Sequence, residues 1–212
     1  MDLKAFRAGI KQRKELTLVG PMTMGIPKEL HHLPQILVDG GTRLKKKHPL
    51  HFSVGDGDSF GKKLDLKVNP NKDYSDLSLA LSLIPKNIKK VHLIGFLGGR
   101  EDHELINLGE IHYFLAGRKL TEIHLWSGQK KIYWGLSKGL YHFSHTGIFS
   151  LFTLKTNKIS LKGKCEYPLK AKNLKAHSSQ GLSNIGFGPI SLKCDSPLYV
   201  IFPAGKKLRF KK

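Results

Sequence analysis

Two aspartates, Asp56 and Asp58, stand two positions apart in the sequence VGDGDS (residues 54–59), directly after an apolar run. Residues i and i+2 of a strand point to the same face, so the two carboxylates are expected to lie side by side if the strand geometry continues into the turn. Like charges this close repel each other, and Mg²⁺, which binds hard oxygen ligands, removes the repulsion. The spacing therefore predicts a site for a metal ion and phosphate oxygens.

Two neighbouring segments supply further acids. Residues 35–41 (QILVDGG) have the pattern of a buried strand that brings Asp39 to its C-terminal end, where open α/β sheets bind ligands. An Asp-Gly turn is also common on protein surfaces, so the pattern of Asp39 alone favours neither interpretation. Farther along, the apolar spacing of NKDYSDLSLALSLI predicts a helix that starts near Ser75, with Asp73 and Asp76 at its beginning.

A glycine-containing loop follows a third apolar run. The glycines of GFLGG (residues 95–99) allow backbone N–H groups to approach an anion, and Arg100, Asp102 and His103 follow within four residues. Arg100 suits a phosphate, Asp102 a polar substrate group, and His103 the orientation of either. Glycines at a strand-to-helix turn are often required by sterics alone, but the three polar residues favour a binding loop.

The elements that must position these residues fall into two groups. Up to about residue 118 apparent strands and helices alternate, which predicts parallel βαβ units. From residue 130 onward short β-forming runs and turns replace them, which predicts an antiparallel sandwich. We therefore expect an α/β N-terminal domain with a mainly parallel sheet (residues 1–127), followed by an all-β sandwich C-terminal domain (residues 128–212).

Charge separates the two parts as well. The formal net charge is +20, and the segment after residue 127 holds 16 Lys and Arg against 2 Asp and Glu. Such a segment could bind nucleic acid or an anionic membrane, but no nucleic-acid-binding motif accompanies it. A solvated basic surface that attracts anionic substrates is the favoured interpretation, and nucleic acid is not predicted as a partner.

The remaining composition predicts a cytoplasmic protein without a membrane anchor. No run of 18 apolar residues occurs, and the first 21 residues lack the apolar segment of a signal peptide. The two cysteines, Cys165 and Cys194, are far apart and belong to no CxxC pair, so neither a disulfide framework nor a zinc site is predicted.

Taken in order, VDGG, VGDGDS, NKDYSDLSLAL and GFLGGREDHELINL resemble the motifs of the thiamine pyrophosphokinase (thiamine diphosphokinase) family. The later segments LKGKCEYPL and GLSN are similar to the family's C-terminal β domain. The resemblance implies transfer of the pyrophosphoryl group of Mg-ATP to the hydroxyl of thiamine, which gives thiamine diphosphate and AMP. It also implies a homodimer with active sites between the subunits.

The resemblance assigns roles to matching positions. It implies that three acids, Asp56, Asp58 and Asp76, hold Mg²⁺ and the ATP phosphates. It implies that Arg100 is a further catalytic residue, as the cation. It implies ATP contacts from five residues: Asp39, Lys72, Asp73, Ser75 and Arg100. For thiamine it implies Asp102, together with Ser183 and Asn184 contributed by the neighbouring subunit.

Three positions differ from the family pattern. Gly57 stands where the family usually has Phe, Asn71 replaces an acid that often precedes the KD element, and IGFG follows Asn184 in place of a more polar continuation. Two alternatives therefore stay open. One is a pyrophosphokinase for a related heterocyclic alcohol, and the other is a basic nucleic-acid-binding protein that has kept the fold.

Overall fold

The computed structural model describes residues 1–44, 47–57, 63–128, 130–176 and 178–203, so Asp58 lies outside the described residues. The chain divides into two compact units by its internal contacts. The first comprises Met1–Phe114 and Ile123–Lys131, and the second comprises Leu115–Glu122 and Ile132–Lys212. The proposed domains of residues 1–127 and 128–212 remain a prediction about the organisation of the chain.

Parallel strands form the sheet of the first unit. Strands β1, β2, β3 and β4 pair in that order, and β5 pairs with the other side of β1, all in parallel. Strand β6 follows β5 in the sheet order. The bounds are β1 Glu15–Val19, β2 Gln35–Val38, β3 His51–Gly55, β4 Leu66–Lys67, β5 Lys90–Ile94 and β6 Glu122–Ser127.

The central strands of this sheet are buried along almost their whole length. Leu18, Ile36 and Leu93 are fully buried, which is typical of parallel strands covered on both faces. Each such side chain contributes about 2 kcal/mol through its removal from water. The sheet is thus a rigid base whose C-terminal edge can hold polar side chains in fixed positions.

Among the described residues, the α-helices are α1 Leu3–Gly9, α2 Asp76–Ser82 and α3 Glu101–Ala116. The predicted start of the second helix is confirmed, because the Ser75 hydroxyl accepts a hydrogen bond from the Ser78 N–H at 3.0 Å and caps α2. The predicted strand over residues 35–41 ends earlier, at Val38. Asp39 has φ of 43° and begins a short 3₁₀ helix, Asp39–Arg43, so the backbone leaves the sheet there.

Antiparallel strands form the sheet of the second unit, in the order β10, β9, β11, β8, β12, β7. Their bounds are β7 Lys130–Leu136, β8 Gly139–Phe152, β9 Asn157–Cys165, β10 Leu169–Leu174, β11 Asn184–Cys194 and β12 Leu198–Ile201. Strand β8 pairs with β11 through residues 139–149 and with β12 through residues 150–152. It is longer than the short β-forming runs that the sequence indicates for this part of the chain.

The described residues of the second unit form an apolar core. It takes side chains from all six strands, including Trp134, Phe149, Leu161, Leu192 and Val200. The part of the chain that the structure describes is therefore a mixed parallel and antiparallel β structure with few helices, whereas the predicted α/β and β-sandwich domains stay a prediction. Among the helices that the structure describes, none combines the length and the apolar composition needed to cross a membrane.

Candidate active site

Three carboxylates meet in the first unit. Asp39, Asp56 and Asp76 each place one carboxylate oxygen so that the three oxygens lie within 4.8 Å of one another, and all three residues are partly buried. We call this group the acid cluster. Asp39 follows strand β2 and Asp56 follows the adjacent β3, so the parallel sheet brings both to one edge, and Asp76 begins helix α2.

Close backbone packing places Asp39 in the cluster. Its left-handed φ of 43° is uncommon outside glycine, although aspartate tolerates it better than most residues. A Cβ at Gly41 would lie 2.0 Å from the Val19 carbonyl oxygen, and a Cβ at Gly55 would lie 3.1 Å from the Asp39 Cα. The glycines of VDGG and the glycine at the end of β3 are therefore needed for the chain to turn here.

Gly57, the departure from the family pattern within VGDGDS, has a local reason in the structure. It adopts φ of 78°, which glycine reaches without strain, and a Cβ there would lie 3.3 Å from the Lys67 Cε. A large side chain at this position would meet both the backbone strain and the Lys67 side chain. The predicted metal and catalytic role of Asp58 stays a prediction.

Lys72 is the cation of the acid cluster. Its Nζ lies 3.1 Å from Asp76 Oδ1 and 3.6 Å from Asp56 Oδ2, and its side chain is only 9% exposed. Burial lowers the pKa of Lys72, but the ion pairs with Asp76 and Asp56 outweigh burial and hold this pKa above its ordinary value. Lys72 is thus a charged ammonium group that faces two carboxylates.

Burial opposes the ionisation of Asp76. Burial raises its pKa above the ordinary value against the opposing effect of Lys72, and the charges of Asp56 and Asp39 raise it further. Its Oδ1 atom is buried and receives no hydrogen bond of acceptable geometry from the described residues, although the Lys72 ammonium lies nearby. A strongly polar oxygen in this position is available to a further cation.

The acid cluster fits a Mg²⁺ ion. Its donors are carboxylate oxygens, which Mg²⁺ prefers, and their separation is compatible with neighbouring or opposite positions around one ion at metal–oxygen distances of about 2.1 Å. Asp76 Oδ1, which accepts no hydrogen bond from the described residues, and the mutual repulsion of the three acids support the same conclusion. Asp39 belongs to this donor set, whereas sequence reasoning assigned it only to the nucleotide.

The other residues of the NKDYSD segment have different surroundings. The Ser75 hydroxyl donates a 2.6 Å hydrogen bond to Glu110 Oε2, which ties the start of α2 to helix α3. Asp73 is exposed. Lys72, Ser75 and Asp76 therefore face inward, and Asp73 does not belong to the acid cluster.

The glycine loop between β5 and α3 is closed by a residue that sequence reasoning missed. Gly95 and Gly98 have φ of 78° and 83°, which presents backbone N–H groups in a turn. The N–H groups of Gly98 and Gly99 both donate to Glu104 Oε1, the latter at 3.2 Å. The N–H groups of this loop thus bond a carboxylate of the protein itself, and the predicted binding of an anionic ligand stays a prediction.

Arg100 and Asp102 pair with each other at the start of α3. The guanidinium donates two hydrogen bonds to the carboxylate, at 3.1 Å and 2.6 Å, and both side chains are exposed. The hydrogen bond from Arg100 is the main reason that the pKa of Asp102 falls to about 2. The structure thus brings the two residues to each other and leaves both accessible to a ligand.

A pocket of about 360 Å³ joins the acid cluster to the glycine loop within the first unit. Its polar lining includes Asp39, Lys72 and Asp76 from the acid cluster and Arg100 and Glu104 from the loop and helix α3. Its apolar lining includes Pro21, Val38, Leu77 and Phe96. Apolar walls with a few converging charged groups are typical of a ligand site. This volume lies within the usual range for small-molecule pockets, about 300–1,000 Å³.

Ser183 and Asn184 belong to the second unit, outside this pocket. Asn184 is buried, and its amide bonds the backbone: Oδ1 accepts from the N–H groups of Tyr167 and Ile185, and Nδ2 donates to the Tyr167 carbonyl at 2.7 Å. Ser183 has φ of 56° and donates its N–H to the Ser150 hydroxyl at 3.0 Å. Asn184 therefore fixes the backbone next to Ser183.

Comparison with known proteins points to one family. Residues 31–123, which contain the acid cluster and the glycine loop, match the family model of the thiamin pyrophosphokinase catalytic domain. A search among curated protein sequences found no match.

Similar folds occur in solved structures. Thiamine pyrophosphokinase from Bacillus subtilis superposes with a TM-score of 0.66 at 22% identity, over 89% of this chain and 98% of that chain. A protein from Lactobacillus plantarum gives 0.64 at 25% identity, over 91% and 98%. Thiamin pyrophosphokinase from Candida albicans gives 0.68 at 11% identity, over 89% and 88%. Residues 31–123 are therefore similar to the thiamin pyrophosphokinase catalytic domain, and the fold is shared with solved structures of that name.

Proposed function

We propose that this protein is an ATP-dependent thiamine pyrophosphokinase, which transfers the pyrophosphoryl group of Mg-ATP to the hydroxyl of thiamine and releases AMP. The observation that carries the proposal is the acid cluster of Asp39, Asp56 and Asp76 inside the segment that matches the family's catalytic domain. The pocket beside the cluster, with Lys72 and Arg100 in its lining, supports phosphate binding at the same place.

The acid cluster would hold Mg²⁺ through Asp39, Asp56 and Asp76, with Asp58 as a further ligand. When bound, the ion neutralises phosphate charge and fixes the geometry of the triphosphate. The three described carboxylates are held by two strand ends and a capped helix, so they need little rearrangement to bind. Electrostatic preorganisation of this kind is the main contribution of proteins to phosphoryl transfer.

The phosphate groups of ATP would be bound by residues on both sides of the pocket. Lys72 is a charged, nearly buried ammonium group, and Arg100 is an exposed guanidinium with a geometry suited to paired phosphate oxygens. Ser75 positions helix α2 through its cap and its bond to Glu110. Asp73, which is exposed, would contact ATP from outside the acid cluster.

The acceptor would lie between subunits of a homodimer. Asp102 offers a carboxylate whose low pKa, about 2, keeps it ionised toward the cationic thiazolium ring. Ser183 and Asn184 would come from the other subunit. Because Asn184 is occupied by backbone hydrogen bonds, Ser183 is the better candidate for direct contact, with Asn184 as its support.

The domain organisation and the cellular location of the protein are part of the same proposal. We assign the first unit to an α/β nucleotide-binding domain with a mainly parallel sheet, and the second to a β-sandwich that serves acceptor binding and dimerisation. A cytoplasmic location is expected for such an enzyme. The two alternatives, a kinase for another heterocyclic alcohol and a nucleic-acid-binding protein, are not favoured by the family match.

The decisive experiment follows the products by ³¹P NMR. Purified protein is incubated with ATP, Mg²⁺ and thiamine, and we expect AMP and thiamine diphosphate in equal amounts. Chelation of Mg²⁺ or omission of thiamine should stop AMP formation. Folded protein that forms no AMP under these conditions would contradict the proposal, and AMP formation only with another heterocyclic alcohol would reassign the acceptor.

A further inference from the structure

Glu104 accepts hydrogen bonds from the backbone of the glycine loop, as a phosphate oxygen bound there would. Its Oε1 atom accepts hydrogen bonds from the N–H groups of both Gly98 and Gly99, and its side chain lines the pocket that also contains Asp39 and Asp76. The loop N–H groups at the start of a 16-residue helix would otherwise be available to an anion. The protein therefore supplies its own anion at this position.

The second phosphate-binding group of the loop is satisfied in the same manner. Arg100 makes two hydrogen bonds to Asp102, one residue beyond Glu101 in the first turn of α3. The loop N–H groups and the Arg100 guanidinium are thus both paired with carboxylates from a single helical turn. A phosphate oxygen that reached the loop N–H groups would meet the Glu104 carboxylate in its place.

We propose that Glu104 is an internal substitute for a nucleotide phosphate oxygen, and that nucleotide binding displaces it from the N–H groups of Gly98 and Gly99. The inference rests on the proposed function, since it concerns the ATP phosphates at the same pocket. Displacement lowers the affinity for nucleotide, because hydrogen bonds to a charged carboxylate must be exchanged for hydrogen bonds to phosphate. It also keeps the loop formed while no nucleotide is bound.

A fixed structural role for Glu104 would have the opposite consequence. If the carboxylate only braced the loop for binding elsewhere, its removal would loosen the loop and weaken nucleotide binding. The sign of the change in affinity therefore separates displacement from bracing. A third explanation for tighter binding is that the removal of any negative charge near the pocket reduces repulsion of the nucleotide phosphates. Variants that change the charge and the hydrogen-bond contact separately are needed to test it.

The test uses three variants of the full chain. Glu104→Ala removes both the charge and the contact, and Glu104→Asp keeps the charge on a shorter side chain. Glu101→Ala removes an equal charge from the same helical turn, from an exposed residue. Calorimetry measures the dissociation constant of a non-hydrolysable α,β-methylene analogue of ATP with Mg²⁺, and thermal unfolding confirms that each variant is folded.

We expect both Glu104 variants to bind the analogue about three- to tenfold more tightly than the wild type, and Glu101→Ala to change the affinity less than about twofold. Weaker or unchanged binding in both folded Glu104 variants would overturn displacement. An equal gain in Glu101→Ala and Glu104→Ala without a gain in Glu104→Asp would overturn it in favour of distant repulsion.

The outcome also distinguishes this inference from the proposed function. A wild-type protein that binds the analogue but forms no AMP with thiamine would contradict the proposed function, while the affinities of the variants would still decide the role of Glu104. Thiamine-dependent AMP formation with unchanged affinities would overturn the role of Glu104 alone. No binding of the analogue by any of the four proteins would overturn both.

Discussion

The acid cluster and the glycine loop line the same pocket but are built differently. The cluster joins residues that are 17 to 37 positions apart in sequence, at two strand ends and a helix start, and its Lys72 side chain is only 9% exposed. The loop pairs Arg100 with Asp102, two positions apart, and these side chains are 74% and 60% exposed. The charged side chains of the cluster are positioned by tertiary contacts, whereas Arg100 and Asp102 in the loop are positioned mainly by their contact with each other.

This difference has energetic consequences. A pair that is nearly buried leaves an uncompensated charge when one partner is removed, which is costly, whereas an exposed pair is screened by water and contributes little to stability. Changes in the cluster should therefore alter both folding and catalysis. Changes in the loop should alter ligand binding with little effect on folding.

The largest effect is expected for Asp56→Asn. The loss of one charged metal ligand should lower the rate of thiamine-dependent AMP formation by roughly 100-fold or more, because phosphate charge would be poorly neutralised. Steady-state kinetics at saturating ATP and Mg²⁺ measure the effect. Asp195→Asn removes an exposed acid of the second unit, which has no assigned role in the site, and serves as the control. A similar rate loss in both variants would contradict the special role of the cluster.

Lys72→Met should destabilise the protein in the absence of Mg²⁺. The three carboxylates then face each other without their ammonium partner, and we expect a loss of about 2 kcal/mol in the free energy of unfolding. Urea unfolding with a chelator measures this loss, and added Mg²⁺ should recover part of it by replacing the cation. If the variant and the wild type unfold at the same urea concentration in the presence of the chelator, Lys72 does not stabilise the cluster.

Arg100→Gln tests the loop side of the comparison. We expect the KM for ATP to rise about tenfold, through the loss of a charged contact to phosphate, with no measurable change in melting temperature. Kinetics over a range of ATP concentrations and a thermal melt of the same sample provide both values. A large fall in melting temperature would show that the exposed pair with Asp102 supports the fold.

The smallest effect is a difference in titration between Asp76 and Asp102. Burial and the neighbouring acids keep the pKa of Asp76 above its ordinary value, whereas Arg100 holds that of Asp102 near 2. As the pH falls, Asp76 should therefore become protonated at a higher pH than Asp102. Carboxyl ¹³C chemical shifts measure both, and Asp76 titrating below Asp102 in metal-free protein would contradict the described environments.

Much of the cluster could be predicted from sequence because its members follow recognisable local signals. Asp39 and Asp56 come directly after apolar runs that form adjacent parallel strands, and Ser75 caps the helix that Asp76 begins. The membership of Asp39 in the donor set depends on its φ of 43° and on the close packing of Gly41 and Gly55. Such tertiary contacts leave no pattern in a single sequence beyond the glycines themselves.

The loop was predicted less completely for a related reason. The glycines and Arg100 were recognised as an anion-binding pattern, but the occupation of the N–H groups by Glu104 was not. The only signal was an acid in the first turn of a helix, which the helix dipole favours in any protein. The hydrogen bonds from the Asn184 side chain to the Tyr167 backbone join residues 17 positions apart, with strand β10 between them, and sequence alone does not indicate them.

The central claim, that the acid cluster holds the metal of the reaction, is tested most directly by crystallography with Mn²⁺ and α,β-methylene-ATP. We predict an anomalous peak about 2 Å from carboxylate oxygens of Asp56 and Asp76, in contact with the phosphates, and Lys72 moved away from the space between them. A metal bound by phosphates alone, with Lys72 still between Asp56 and Asp76, would contradict the account.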